Sequence, residues 1–510
     1  AGELQPLYWE ALFEGLLEWR GTGSLDSDSR LFAAEGIGSL SMARPSSVIQ
    51  RMTDQVCKKL AALRPREVEE RQGLVSALAA LVNTRGGMPD SDERDTLHTL
   101  LLHLWTLLQG NLKLDDKAFT SLALRPQFTA SSVCSFIGAM ASLTIDTSSE
   151  FWPSDLPTTE ICNLLDLCLA RHEESVLEAI ASAVPAIVLL LSKIPGVDTD
   201  SVLSSWLTRL ENEASYNGLR CSGHAIALGA ADRSLGGLVA SSRSEDIQRR
   251  IVKILTFRCT PAVAIEARTV ALRALGSLLS GKASQPSALA SDVEVQVRSA
   301  LHIALNDYTI TERGDVGSLV RLEAVNTVRL AWASGLLTAT HDELDDEIYA
   351  DILRLSLEKL DKMRVKATQA LQFKDGSTAT TDDVSSKAYF SLALGSLRST
   401  TRLVIKEAIC IGFVSSAGMG SESVVQHSRS ALLDFADSLP EESAADASVF
   451  SLVDFADCFL AILKSNLNNE RILLPLLEVV AFMFDMHVMQ RLQSTPFKFV
   501  SLFACRLNVG

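Results

Sequence analysis

Asp315-Val316-Gly317-Ser318-Leu319-Val320-Arg321-Leu322-Glu323-Ala324 places an acid, an arginine and an alanine at helical spacing. Wound at 3.6 residues per turn, Val316, Val320, Ala324, Val328 and Ala331 fall on one apolar stripe. An Asp near the helix start accepts hydrogen bonds from N–H groups that have no helical partner, and it suits the positive end of the dipole. An alanine on the inner face lets a neighbouring helix come close. The same text returns in Glu266-Ala267-Arg268 with Ala271, and in Asp361 and Arg364 with Ala367. It returns again in Asp292 and Val297-Arg298, with Ala300 in a shifted place. Arg321 and Arg364 stand 43 residues apart, near the period of about 40–47 of HEAT and armadillo units. Arg268 and Arg321 stand 53 apart, which requires an inserted loop. One helix pair cannot bury such a stripe alone, so pairs stack. The expected fold is all-α, a HEAT/armadillo-like solenoid of stacked helix pairs.

Outward from this stretch, helical periodicity recurs from Leu7–Trp19 to Pro496–Leu507. Asp342–Leu371 and Ser385–Val414 each read as one long helix. Connections are short and carry Gly, Pro, Asp and Ser, which is turn chemistry. Thr340-His341-Asp342-Glu343 spells a capping box, with Asp90 and Glu93 at similar spacing. Lys374 to Thr381 reads as a flexible loop. No run of alternating strands appears, and no hairpin dipeptide sits between two such runs.

The 510 residues are 47% hydrophobic and 21% charged, too apolar for a mainly disordered chain. Leu and Ala favour helices, and the scarcity of Tyr and Trp argues against a β-rich protein. The formal charge of −15 disfavours nucleic acid as the main partner, and an anionic membrane surface likewise. Nine scattered cysteines include no C-x-x-C pair and read as buried free thiols in a reducing compartment. The longest apolar run, Ala179–Leu191, contains Ser182 and Pro185 and falls short of the roughly 20 residues a membrane span needs. Leu7–Leu17 is broken by Glu10 and Glu14, unlike a signal peptide. A start at Ala1 and a stop at Gly510 just after a helical pattern suggest a piece of a longer protein.

Nucleotide and catalytic motifs are missing: there is no G-x-x-x-x-G-K-[ST], no H-E-x-x-H and no G-x-S-x-G. Gly36-Ile37-Gly38 and Gly418-Met419-Gly420 read as loops, and His224 as a satisfied core or interface histidine. No catalytic, cofactor-binding or metal-binding residue is expected. Two polar clusters stand out. In Asp307–Arg321, the plain reading is an interhelical turn in which Gly314 relaxes the backbone, Asp315 caps and Arg321 bonds a neighbouring repeat. The alternative is direct partner contact through Asp307, Tyr308, Arg313, Asp315 and Arg321. In Asn466-Leu467-Asn468-Asn469-Glu470-Arg471 the plain reading is a capped turn between repeat helices, and the alternative is partner contact through Asn466, Asn469, Glu470 and Arg471. A basic strip of Lys359, Lys362, Arg364 and Lys366 is either a solvated face or a contact for an acidic partner.

Asp307-Tyr308-Thr309, Arg313-Gly314-Asp315-Val316-Gly317 and Val320-Arg321 resemble the tubulin-folding cofactor D (tubulin-specific chaperone D) family, whose pattern is D-Y-T, R-G-D-V-G and V-R. Glu358–Arg364 is similar to its E-K-I-D-R-F-R. Asn466, Leu467 and Asn469-Glu470-Arg471 with Pro475-Leu476-Leu477 are similar to N-L-L-N-E-R and P-L-L. Arg220-Cys221 and Ala227–Ala230 resemble R-C-G-F-x-L-A-L-G-A, with a shift at Ser222-Gly223 and His224 where an aromatic is favoured. The resemblance covers about residues 216–505, in family order, and suggests a C-terminal portion. This divides the chain into helical repeats without a match, 1–215, and family-like repeats, 216–510.

The resemblance implies a non-enzymatic scaffold that holds β-tubulin. With cofactors E and C and an Arf-like small GTPase, it assembles or dismantles the αβ-tubulin heterodimer and promotes GTP hydrolysis on tubulin. It implies a cytoplasmic place, with microtubule association. The alternative is another HEAT/armadillo adaptor, a transport receptor or phosphatase scaffold, which would not need the Asp307–Arg321 string.

Overall fold

The computed structural model describes residues 6–42, 44–84, 94–109, 112, 114–147, 152, 156–213, 218–235, 242–282, 291–335, 343–375, 383–441 and 450–492. The chain divides into two compact units, Ala1–Leu289 and Ala290–Gly510. Both are built of helices, as the stripe-and-alanine text predicts, and the fold is the HEAT/armadillo-like α-solenoid.

In the N-terminal unit, α1 (Pro6–Leu16) leads into α2 (Ser27–Ser41), α3 (Ser46–Ala62), α4 (Val68–Asn83), α5 (Arg94–Gln109) and α6 (Asp116–Thr120). Then come α7 (Pro126–Asp146), α8 (Thr158–Leu169), α9 (Glu174–Lys193), α10 (Thr199–Glu211), α11 (Ser222–Leu235), α12 (Ser242–Arg258) and α13 (Ile265–Lys282). Helices α2, α4, α7, α9, α11 and α13 pack each on the next as one layer. The helices between them cover that layer: α3 lies on α4, α8 on α9 and α11, and α12 on α13. Packing runs from α9 through α11 to α13, continuous across residue 215.

Backbones in the inner layer nearly touch. A Cβ on Gly229 would stand 2.2 Å from the Ala274 carbonyl oxygen, and one on Gly138 would stand 2.7 Å from the Ala183 Cα. Only glycine permits that approach. The Gly36-Ile37-Gly38 text is therefore no loop: it lies inside α2, with Gly38 against Ala80. Helices α7 and α9 are long and apolar enough to cross a membrane, so Ala179–Leu191 belongs to a longer element than the run alone suggests. In this structure they pack on each other in the inner layer, where burying a Leu or Ile contributes about 1.5–3 kcal/mol.

The C-terminal unit begins with α14 (Ser291–Leu305) and a short hairpin, β1 (Ile310–Thr311) with β2 (Gly314–Asp315). Helices α15 (Gly317–Ala333), α16 (Glu343–Leu355), α17 (Asp361–Asp375), α18 (Lys387–Gly395) and α19 (Leu403–Met419) follow. The unit closes with α20 (Glu422–Asp437), α21 (Leu452–Ser465) and α22 (Glu470–Asp485). One layer runs α14, α16, α19, α22, while α15 packs on α17 and α18 on α20. Asp342–Leu371 is thus two helices parted at Ser356–Leu360, and Ser385–Val414 is parted by a 3-10 turn at Ser396–Arg398. Gly418 lies within α19, with its missing Cβ 2.5 Å from the Pro475 carbonyl oxygen, again a helix crossing and not a loop. Phe390, Phe413, Phe435, Phe455 and Phe459 fill the core, with edge-on contacts between Phe390 and Phe413 and between Phe435 and Phe455. The capping boxes expected at Thr340–Glu343 and Asp90–Glu93, and most of the Lys374–Thr381 loop, lie outside the described residues; Ser451 and Asp454 form one instead.

Candidate functional site

The Asp307–Arg321 string folds into a turn that its own residues hold shut. The Asp307 carboxylate accepts from the Thr309 backbone N–H at 3.0 Å and hydroxyl at 2.6 Å, turning the chain out of α14. The hairpin pairs Ile310 with Asp315 and Thr311 with Gly314, leaving Glu312 and Arg313 at the exposed tip. Two residues per strand are too few for an alternating pattern, which is why periodicity missed it. Gly314 has φ +95°, which L side chains avoid. A Cβ on Gly317 would stand 2.4 Å from the Asp307 carbonyl oxygen. Both glycines are thus sterically required.

Arg321 is fully buried and ties the turn together. It donates to the Asp307 carbonyl at 2.7 Å, to the Asp315 carboxylate at 2.9 Å and, across the repeat, to Glu358 at 2.9 Å. Asp315 also accepts from the Ser318 N–H at 3.1 Å, as a cap does. Burial alone would lower the Arg321 pKa; the Asp315 bonds and the Glu358 charge outweigh it and hold the pKa raised.

Tyr308 is the hub. The guanidinium carbons of Arg321, Arg354 and Arg471 lie 3.9, 5.5 and 3.4 Å from its ring centroid. Two guanidinium groups within 4 Å of one centroid do not fit on one face, so Arg321 and Arg471 sandwich the ring. Arg354 bonds the Tyr308 hydroxyl, Asn306 Oδ1 at 2.9 Å and Asp351 at 3.1 Å. Asp351 in turn meets His302 Nδ1 at 2.7 Å and accepts from Asn306 Nδ2 at 2.9 Å. The Asp351 hydrogen bond raises the His302 pKa. Two stretches 163 residues apart, those of Tyr308 and Arg471, therefore meet in space. Sequence reasoning had no signal for that meeting, and it passed over His302, Asp351 and Arg354. The Asp351–Arg354 spacing does repeat that of Asp361 and Arg364.

Arg364 corrects the basic strip. It is fully buried and donates to the Glu358 carbonyl at 2.8 Å, to the Ser385 hydroxyl at 2.8 Å and to Asp361. It closes the turn before α17 as Arg321 closes the one before α15. The exposed strip is Lys359, Lys362 and Lys366, none ion-paired among the described residues. Arg268 repeats the device in the N-terminal unit, on the Val263 and Pro261 carbonyls. Arg30 does too, with Asp26 before it and Ala33 after, a copy of the repeat text that the sequence reading passed over.

In the second cluster, the Asn466 side chain donates to the Ile462 carbonyl at 2.9 Å and closes α21. Asn469 precedes α22 without a side-chain cap bond, so this turn is capped on one side only. Glu470 and Arg471 are exposed. His224 is not a satisfied histidine among the described residues: it is buried, neither ring nitrogen has a hydrogen-bond partner among them, and burial pushes its pKa down to about 4.

Residues 346–506 match the family model described as tubulin folding cofactor D C terminal. That match takes in Glu358, Arg364 and Arg471. No curated protein matches the chain. Solved structures with similarity include Kap121p bound to Ste12p, at 16% identity and TM-score 0.39, covering 98% of this chain and 47% of that one. Kap121p alone gives 12% and 0.28, over 93% of this chain and 47% of that one. Uso1-2 gives 12% and 0.24, over 98% and 84%. The chain spans about half the length of the Kap121p chains it matches.

Proposed function

We propose that this chain, whose residues 346–506 match the family model of the tubulin folding cofactor D C terminus, is a helical-repeat scaffold of a tubulin chaperone. In this reading it holds β-tubulin. With cofactors E and C and an Arf-like small GTPase, it assembles or dissociates the αβ heterodimer and promotes GTP hydrolysis on tubulin. It acts in the cytoplasm, near microtubules. One observation supports it most: the family-like string 307–321 lies outside the matched region yet is bonded into it, Arg321 to Glu358 and Tyr308 to Arg471.

The residues divide by exposure. Asp307, Asp315, Arg321 and Arg364 hold the scaffold, because each is consumed by internal bonds. Arg313, Lys359, Lys362, Lys366 and Arg471 face solvent and are the proposed contact groups. A chain of charge −15 gains nothing from bulk attraction to an acidic client, so local basic patches must do the steering. A pull-down of the purified chain with β-tubulin, and separately with the Arf-like GTPase, tests the reading; capture of neither overturns it.

A further inference from the structure

Arg471 differs from every other guanidinium of the Tyr308 hub. Arg321 is neutralised by Asp315 and Glu358, and Arg354 by Asp351. Arg471 has no hydrogen bond and no ion pair among the described residues, and it is exposed. It sits in the first turn of α22, where the positive end of the helix dipole disfavours a cation. Desolvation against the hub and the like charges of Arg354 and Arg321 lower its pKa. Most carboxylate oxygens around it are already engaged: Asp307 on Thr309, Asp315 and one oxygen of Glu358 on Arg321, Asp351 on Arg354 and His302. The second Glu358 oxygen is buried and makes no hydrogen bond among the described residues, and the Glu358 charge offsets only part of the desolvation of Arg471. Such a group is stabilised when an anion arrives from outside.

The Arg471 guanidinium carbon lies 3.4 Å from the Tyr308 centroid while the residue stays exposed, and a guanidinium fork held against a ring can still donate to both oxygens of a carboxylate. A second exposed cation, Lys359, has no ion pair among the described residues and directly follows Glu358, which bonds Arg321 of the hub. The Lys359 backbone N–H donates to Ser415 of α19, and α22 packs on the same end of α19, where Gly418 meets Pro475.

We propose that Arg471, clamped on Tyr308 and assisted by Lys359, is a docking site for a carboxylate side chain of an acidic protein segment. The inference deepens the function proposed above and rests on its reading of Arg471 and Lys359 as contact groups for an acidic client, without depending on which protein supplies the segment.

The test is fluorescence anisotropy of the purified full chain with a fluorescein-labelled deca-glutamate peptide, at low salt and again near physiological ionic strength. Saturable binding that weakens with salt is expected. Arg471→Ser should weaken it about tenfold or more, Lys359→Ser by a few-fold, and Arg313→Ser, at the hairpin tip, less than twofold. Arg471→Ser binding within twofold of the parent overturns the proposal. So does an absence of binding by the parent, or tighter binding of a deca-lysine peptide. If Arg471→Ser lowers the melting temperature, Arg471→Lys decides: weaker binding with unchanged melting supports the fork, and unchanged binding overturns it. A chain that captures no tubulin and still shows this pattern fails the function proposed above and keeps the site.

Discussion

Arg30 in the N-terminal unit and Arg321 in the C-terminal unit are both fully buried, and their partners differ in kind. Arg30 bonds the Gln72 side-chain oxygen at 3.0 and 2.6 Å and the carbonyls of Ser24 and Leu25, with no carboxylate among these partners. Burial lowers its pKa, whereas ion pairing raises that of Arg321. At Arg30 the repeat turn is closed with neutral acceptors. At Arg321 it is closed with a charge network that runs from Asp315 to Glu358. The same acid–arginine–alanine text thus allows two electrostatic solutions, and the second makes the C-terminal unit dependent on several residues at once.

The largest expected effect separates them directly. Arg321→Leu leaves Glu358 buried without its cation and should cost about 3–5 kcal/mol. Arg30→Leu leaves only neutral acceptors and should cost about 1–3 kcal/mol. Denaturant unfolding reads this through Trp332, the one tryptophan beyond residue 290, and through Trp105 and Trp206 before it. Equal costs would dissolve the contrast. Next, Gly229→Ala and Gly418→Ala drive a Cβ into a backbone carbonyl in either unit, at about 1–3 kcal/mol each. Similar losses in melting temperature would show that close helix approach, unlike arginine burial, is common to both.

The pH responses should oppose each other. His224 has a folded pKa of about 4 against an unfolded 6.5, so its contribution is present above 6.5 and lost as pH falls between those values. His302, facing Asp351, Glu347 and Arg354, has a raised folded pKa. Its contribution is full below 6.5 and lost as pH rises through that raised value. Melting curves of His224→Leu and His302→Gln across pH 5 to 8 should flatten the acid and alkaline slopes respectively; slopes like the parent's would remove these histidines from the comparison. The smallest effect belongs to Arg313→Ser, which should move stability by less than about 0.5 kcal/mol because its side chain bonds nothing among the described residues. A clear drop in melting temperature would make the tip part of the turn's framework.

The helices, and the recurrence of Arg268, Arg321 and Arg364 in the repeat text, were legible in the sequence because their requirements are local; the burial of those arginines was not. A cap, an arginine and a small residue must sit within one or two turns. Arg364 still deceived, since its neighbours Lys362 and Lys366 share its charge and only the three-dimensional turn at Glu358 distinguishes it. The Tyr308–Arg471 stack was out of reach because no local spacing encodes it. His224 misled because a histidine on an apolar face is usually satisfied, and here the Ser222 hydroxyl and the His224 ring are buried without hydrogen-bond partners among the described residues. Gly36-Ile37-Gly38 misled because glycine pairs mark turns and equally mark helices that nearly touch.

The Tyr308 sandwich has a mechanical consequence. A stack of helix pairs usually touches only nearest neighbours, so its ends fray and it stretches like an open spring. Here the start of α22 grips the turn before α15, although α16 and α19 stand between α14 and α22 in their layer. Within the C-terminal unit the layer is latched along this edge. Amides of α22 should then exchange with solvent at nearly the rate of those in α15, where an unlatched helix would exchange faster.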